Sequence, residues 1–178
     1  MDRIRWGVLG NATIARKCVI GAIQKSRNGS VHALGTRSPA DAAEVAAENG
    51  IGNVYDGYDA VLADPAVDAV YVPLPNHMHL PWTLKALSAG KHVLCEKPLA
   101  CNAGEARMMA ARAKKTGLLL MEALMYRFHP RSRHIKQLVD QGGIGKPCLV
   151  RSAFCYHMDE DILKSGCNAR LKPDMGGG

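Results

Sequence analysis

Apolar positions along the chain fall into short runs that alternate between two periods. Ile4 to Leu9 has strand length and runs into glycine. Beyond it, Ile14, Cys18, Val19, Ala22 and Ile23 recur at helical spacing. Val31 to Leu34 predicts a second short strand. Ser38-Pro39 then predicts a helix start, with a hydroxyl for the N-cap, a proline for the first turn and Asp41 near the positive end of the dipole. Gly50 closes that helix. Val67 to Val72 is the next apolar strand, and Leu80, Leu84 and Leu87 mark one face of a helix that Gly90 ends. His92 to Cys95 is again a strand. Asn102 with Glu105 forms a capping box in which Asn substitutes for Ser or Thr. Met109, Ala110 and Ala113 give that helix its buried stripe, Gly117 ends it, and Leu118 to Met121 is the last strand of the series.

This βαβαβ rhythm predicts an α/β fold, a doubly wound parallel sheet of Rossmann type with helices on both faces. The rhythm changes near Ala123. A helix from Pro130 to Val139 leads to the loop Gly142-Gly143-Ile144-Gly145, and Pro147 to Met158 reads as one extended strand of mixed polarity. Residues 1–123 are therefore expected to form one domain and 124–178 to begin another.

Composition changes this picture little. The formal net charge is +7 over 178 residues, but the basic residues are dispersed. A solvated surface with sites for an anionic cofactor is favoured, and no nucleic-acid partner is expected. Six cysteines occur without a CxxC pair, so buried reduced thiols are expected. The chain enters a strand pattern at once, and no window is long enough to span a membrane. A cytoplasmic location with no membrane partner follows as an expectation.

The candidate chemistry sits where strands meet helices. Gly10-Asn11-Ala12-Thr13-Ile14-Ala15 reads G-x-A-x-x-A, close to the G-x-G-x-x-G/A dinucleotide fingerprint, with Ala12 replacing the second glycine. Small residues there let a pyrophosphate approach backbone N–H groups at a helix N-terminus. A glycine turn common to any α/β domain is the alternative. The second strand ends in Thr36-Arg37-Ser38, where a cofactor lacking a 2′-phosphate usually finds a carboxylate. Two hydroxyls and a guanidinium suit a phosphate, which favours NADP and leaves NAD possible. A surface arginine beside a helix cap is the other reading.

Two further strand ends carry reactive side chains. Leu74-Pro75-Asn76 continues to His79, and Asn76 and His79 are expected to reach a ribose or carboxamide. His77 and His79 lack a companion ligand set, so no metal is expected, and His77 is placed on a solvent-facing loop. Glu96-Lys97-Pro98 ends the strand His92–Cys95, the address at which open α/β sheets hold ligands. Lys97 is a candidate for assisting proton transfer while hydride moves. An ion pair at a strand end is the alternative.

The segments Gly10-x-Ala12-x-x-Ala15, Pro75-Asn76-x-x-His79, Ala89-Gly90-Lys91-His92-Val93-Leu94-Cys95-Glu96-Lys97-Pro98, Met121-Glu122-Ala123-x-Met125-Tyr126-Arg127-Phe128-His129-Pro130 and Gly142-x-Ile144-Gly145 occur in order. Together they resemble the glucose-fructose oxidoreductase / inositol dehydrogenase / MocA family, closest to its dihydrodiol dehydrogenase and glucose-fructose oxidoreductase branch. The resemblance covers the whole chain. It implies a Rossmann domain followed by an α/β domain with a mostly antiparallel sheet, and NAD(P) redox chemistry on a sugar, polyol or diol. It implies that Lys97 is catalytic, that Arg127 lies near the nicotinamide, and that Arg170 is the family's arginine before its glycine run. It also implies a homo-oligomer in a full-length parent. The family continues past the equivalent of Gly178 with an Asp-x-x-x-His type pattern, so a chain ending there is expected to bind cofactor but turn over poorly. A cofactor-binding regulator of the same superfamily is the rival reading. A methyltransferase fits less well, because it gives Glu96-Lys97-Pro98 no role.

Overall fold

A computed structural model describes residues 3–155, 157, 159–165, 168 and 171–177. Six strands form one parallel sheet: β1 (Ile4–Leu9), β2 (Gly29–Thr36), β3 (Asn53–Asp56), β4 (Ala69–Val72), β5 (His92–Cys95) and β6 (Leu120–Glu122). Their order is β3-β2-β1-β4-β5-β6. The chain winds outward one way from β1 and then returns to build the other half. The direction therefore reverses between β1 and β4, which opens a crevice at their carboxyl ends.

Helices cover both faces. Residues 13–25 form one helical run, π-helical over Ala15–Val19 and continuing as α1 (Ile20–Lys25). With α2 (Pro39–Glu48) it packs on one face around Val8, Ile20, Leu34 and Tyr71. On the other face, α3 (Asp59–Ala63), α4 (Asn76–Ser88) and α5 (Ala103–Thr116) enclose Leu9, Val70, Val72, Leu87 and Met109. Sandwiched between these layers, β4 is buried along its whole length. A Cβ built on Gly35 would stand 2.6 Å from Val61 Cγ2, so a glycine here lets α3 lie directly on the sheet.

Several expectations are corrected. The π turn shifts the first helix's register, so Ala15, Ile20 and Ile23 are buried while Cys18 and Ala22 face outward. Ala110 is exposed, and Met109 and Ala113 carry the α5 stripe. The Ser38 hydroxyl makes no capping bond. Instead its N–H donates to Thr36 Oγ1 at 3.2 Å. Of the described cysteines only Cys95 is buried, whereas Cys18, Cys101, Cys148 and Cys155 are exposed. Cys167 lies outside the described residues.

The sequence pattern also missed β3 and α3, which are too short and, in β3, too mixed in polarity to display a period. The predicted strand from Pro147 is absent. Residues 147–155 pair with no strand among the described residues, and a strand without a ladder has nothing to hold it. Met158, its expected end, lies outside the described residues. The 3-10 turn Met125–Phe128 and α6 (Pro130–Asp140) follow β6, and α7 (Glu160–Ser165) and a 3-10 turn at Pro173–Met175 complete the described elements. The expected helix at Pro130 forms nearly as read.

The amino edge of the sheet is fastened by one ion pair. Arg5 Nη2 meets Asp68 Oδ1 at 2.8 Å, while Arg5 N and Nε both donate to Oδ2. This joins β1 to the entry of β4. The Arg5 side-chain bond, opposed by partial burial and helped by the Arg5 backbone, holds the Asp68 carboxyl down from 3.8 to about 2. A depressed carboxylate pKa adds stability that is complete above pH ~4 and is lost as pH falls toward 2. At 38 % side-chain exposure, solvent screening keeps the contribution small. Asp68→Asn should lower Tm at pH 7 by roughly 2–4 °C, the shift that about 1 kcal/mol produces in a chain this size. The gap to wild type should close between pH 4 and 2 in thermal melts, and a constant gap would contradict the assignment.

Candidate functional site

The site grows from the turn after β1. Gly10 adopts φ +113°, and its N–H donates to Gly35 O at 2.7 Å. A Cβ here would meet Leu74 Cδ2 at 3.1 Å, in a conformation that side chains avoid. Gly10 thus reverses the chain over the β4–α4 connection. The helix that follows begins at once: Arg16 N–H donates to Ala12 O at 3.1 Å. The N–H groups of its first turn then have no partner within the helix. Ala12 has an ordinary negative φ, like every described non-glycine residue, which explains how alanine substitutes for the fingerprint's second glycine.

A cleft of about 460 Å³ lies over this turn, at the crevice between β1 and β4. Gly10, Asn11 and Ala12 form one wall; Thr36, Arg37 and Ser38 form another; Leu74 and Pro75 close a third. Asn11 Nδ2 donates to Asp41 O at 3.0 Å, while its Oδ1 is buried without a partner. Thr36 is buried, and its Oγ1, accepting from Ser38, retains a proton to donate. Arg37 and Ser38 are exposed at the rim. Arg16 and Asp41 also line the cleft. Arg16 escaped the sequence reading because it lies outside the glycine motif; only the helix start, with Arg16 one turn beyond Ala12, gives its side chain a direction. Thr13 is exposed and Ile14 partly buried, and neither lines the cleft.

Lys97 stands at the next strand end. Val72 pairs with Cys95 in register, and Glu96 N–H donates to Val72 O at 3.1 Å, so the carboxyl ends of β4 and β5 lie side by side; Lys97, the residue after Glu96, does not line the cleft. The lysine is exposed, and the Lys97–Pro98 peptide is cis. Its turn is pinned closely. Tyr71 Oη donates to Glu96 Oε1 at 2.7 Å, and Glu96 Oε2 accepts from Lys97 N–H at 3.2 Å. Leu99 N–H donates to Glu122 Oε1 at 2.9 Å. Burial, and then the bond to Glu96, push the Tyr71 phenol well above its ordinary pKa. Burial likewise pushes the Cys95 thiol up to about 12, which removes it as a nucleophile.

The remaining candidates divide. Asn76, His77 and His79 lie in the first turn of α4 rather than on a loop, although His77 does face solvent. Asn76 Nδ2 donates to Gly176 O at 2.7 Å, so its amide holds the chain's own backbone. His79 is corrected as a ligand contact. It is 0 % exposed, with Nδ1 2.8 Å from Pro98 O and Nε2 2.7 Å from Leu74 O. Arg127 is exposed in the turn beyond β6 and does not line the cleft. Arg170 lies outside the described residues. The motif residues Lys91 and His92 are structural. Lys91 Nζ, 7 % exposed as a residue, donates to Asp64 O and Val67 O at 2.8 and 2.7 Å, and His92 Nδ1 accepts from Leu119 N–H at 3.0 Å.

A second hollow of about 570 Å³ lies between α3, α4 and α5, away from the strand ends. Its Lys85 is already paired with Asp59 at 2.9 Å. No group of three or more His, Cys, Asp or Glu suited to a metal occurs among the described residues. No described helix is long and apolar enough to cross a membrane.

Strand order, crevice and glycine turn together define a dinucleotide-binding Rossmann domain. Residues 4–124 match the oxidoreductase family with NAD-binding Rossmann fold that is named for glucose-fructose oxidoreductase, inositol dehydrogenase and MocA, and the chain belongs to that family. It is 40% identical over 173 residues to a D-xylose 1-dehydrogenase (NADP(+)) of Haloferax volcanii, covering 97% of this chain and 51% of the relative. It is 34% identical over 157 residues to the mouse trans-1,2-dihydrobenzene-1,2-diol dehydrogenase, covering 87% and 47%. A crystallised 3-ketoreductase from Actinomadura kijaniata, in complex with TDP-benzene and NADP, superposes with a TM-score of 0.76 at 41% identity, over 81% of this chain and 45% of that one. The chain spans about half the length of the curated relatives it matches.

The two small residues of the turn should respond differently to substitution. Gly10→Ala should cost on the order of 1–3 kcal/mol of stability, from backbone strain at positive φ. Ala12→Gly should stay within about 1 kcal/mol of wild type. Denaturant unfolding of both variants checks this, and equal losses would contradict the assigned conformations.

Proposed function

We propose that the protein binds NADP across the β1–β4 crevice and belongs to an oxidoreductase that moves a hydride between the nicotinamide and a carbinol or carbonyl carbon of a sugar, polyol or diol. The observation that carries this reading is the pairing of the two cleft walls: a glycine turn with open helix N–H groups faces a strand end bearing Thr36, Arg37 and Ser38. The donor set fits the cofactor. The open N–H groups of the helix start meet the pyrophosphate, while the unpartnered Asn11 Oδ1, an acceptor, suits a ribose hydroxyl rather than a phosphate oxygen. Arg37, with Arg16 and the hydroxyls, meets the 2′-phosphate. The relatives named for NADP support the same choice.

When bound, the nicotinamide supplies or accepts the hydride. This chain's own part is binding, orientation and proton handling. Lys97 Nζ holds the substrate oxygen, gives it a proton as a carbonyl is reduced, and takes one back as an alcohol is oxidised. Glu96, fixed by Tyr71, keeps the lysine's turn in place and offers its remaining lone pairs to the cofactor. Thr13, Ile14, Leu74, Pro75, Asn76 and Arg127 complete the proposed surroundings of the cofactor, and residues 124–178 are proposed as the beginning of a second domain.

Asp41 is the one carboxylate among the residues lining the cleft, and it tests the choice of cofactor. Arg37→Ala should weaken NADPH binding about tenfold or more, the size of a lost charge-assisted bond, while NADH binding changes by less than about twofold. Asp41→Asn should leave NADPH affinity intact or improved. Fluorescence titration reads both, and a selective loss of NADH binding in Asp41→Asn would instead make that carboxylate the ribose anchor. For the chemistry, NADPH oxidation by keto-sugars is followed by absorbance. Lys97→Ala should lower kcat by roughly 10²–10⁴ with NADPH affinity unchanged. Saturable binding without any turnover in a full-length parent would turn the reading toward a sensor.

A further inference from the structure

We propose that His79 is a positioning residue whose ring clamps the β4–α4 turn to the turn that carries Lys97. The inference rests on the role proposed above for Lys97. It starts from a placement that the sequence did not reveal. His79 lies in the first turn of α4 and is fully buried. Its two ring nitrogens face backbone carbonyls from separate segments: Leu74 O at 2.7 Å and Pro98 O at 2.8 Å. Carbonyl oxygens only accept, so the ring must donate. A neutral ring supplies one N–H and a protonated ring two; the clamp needs the one on Nδ1, which donates to Pro98 O and ties the first turn of α4 to the turn of Lys97.

The two carbonyls matter because of what stands on each side. Leu74 is the residue under Gly10, 3.1 Å from where a Cβ would sit, and it closes one wall of the cofactor cleft. Pro98 follows Lys97 directly. The imidazole therefore spans from the floor of the phosphate loop to the reactive turn by a single rigid plane. The other bonds on that turn, from Tyr71 Oη to Glu96 and from Leu99 N–H to Glu122, fix it to β4 and β6. Those bonds hold its height and direction against the sheet, whereas the His79 bonds are the ones that reach the wall of the cleft. A hydride donor carbon and a lysine Nζ must share one substrate oxygen and carbon, so an error of about 1 Å between the two sides can cost up to about 10²-fold in rate.

The test compares His79→Phe, which keeps an aromatic ring without a donor, with His79→Gln, which restores an N–H donor. Amide hydrogen exchange on the chain without cofactor gives a local readout. In His79→Phe the Lys97 and Leu99 amides should exchange about tenfold faster or more, while the central-strand amides of Val70 and Val93 keep their rates. Steady-state kinetics on the full-length parent give the second readout: kcat should fall about tenfold or more with KM for NADPH within about twofold, and His79→Gln should recover part of the loss. Unchanged exchange at Lys97 and Leu99, or a uniform rise across the sheet, would overturn the clamp and leave His79 as ordinary core. Equal kcat in His79→Gln and His79→Phe would overturn it too. Lys97→Ala run in parallel separates the two ideas: if that variant keeps its kcat, the role of Lys97 fails, while the exchange result still decides whether His79 holds the turn.

Discussion

The fold turns on the bond from Gly10 N–H to Gly35 O, made by a glycine at a φ that other residues avoid. That bond lets β1 end in a sharp reversal beside β2 and start a helix immediately. The helix then points its unpartnered N–H groups at the one place where the strand order changes direction. The other neighbours follow from it. Leu74 packs beneath the glycine, α4 begins two residues later, and the first turn of α4 reaches across to the β5 end. A side chain at position 10 would disturb this whole series at its origin.

The segment that resembles its family most specifically divides between scaffold and chemistry. Gly90 closes α4, Lys91 satisfies two carbonyls of the α3–β4 connection, and His92 receives an N–H from the start of β6. These residues hold β5 in register between its neighbours. The exposed lysine and its half-buried glutamate come only after the strand has ended. A conspicuous run of residues can therefore be mostly architecture, with its reactive group at one end.

Five of the six strands, the glycine turn after β1 and the position of Lys97 just past the end of β5 were legible because they depend on short-range signals: apolar period, glycine placement and strand ends. What was not legible depends on distance in space. Nothing near His79 in the sequence says that Pro98 O will stand opposite Nδ1, so a histidine of plausible spacing looked like a ligand contact. Ser38 had the right type for a cap, but its neighbour Thr36 took the backbone bond locally. The thiols were read from average behaviour, and the π turn moved Cys18 to the outside. The segment from Pro147 has strand-like composition, yet pairing is a property of two segments and its partner is not among the described residues. Arg16 needed the helix start to be fixed before its direction meant anything.

The location of the cofactor is the central claim, and a titration followed by 15N–1H NMR tests it most directly. Adding NADPH to the labelled chain should shift the amides of residues 10–14 and 36–38 first and most strongly, with smaller changes at 96–99. Shifts confined to the hollow around Asp59, Lys85 and Arg112, or no saturable shift at all, would contradict the account.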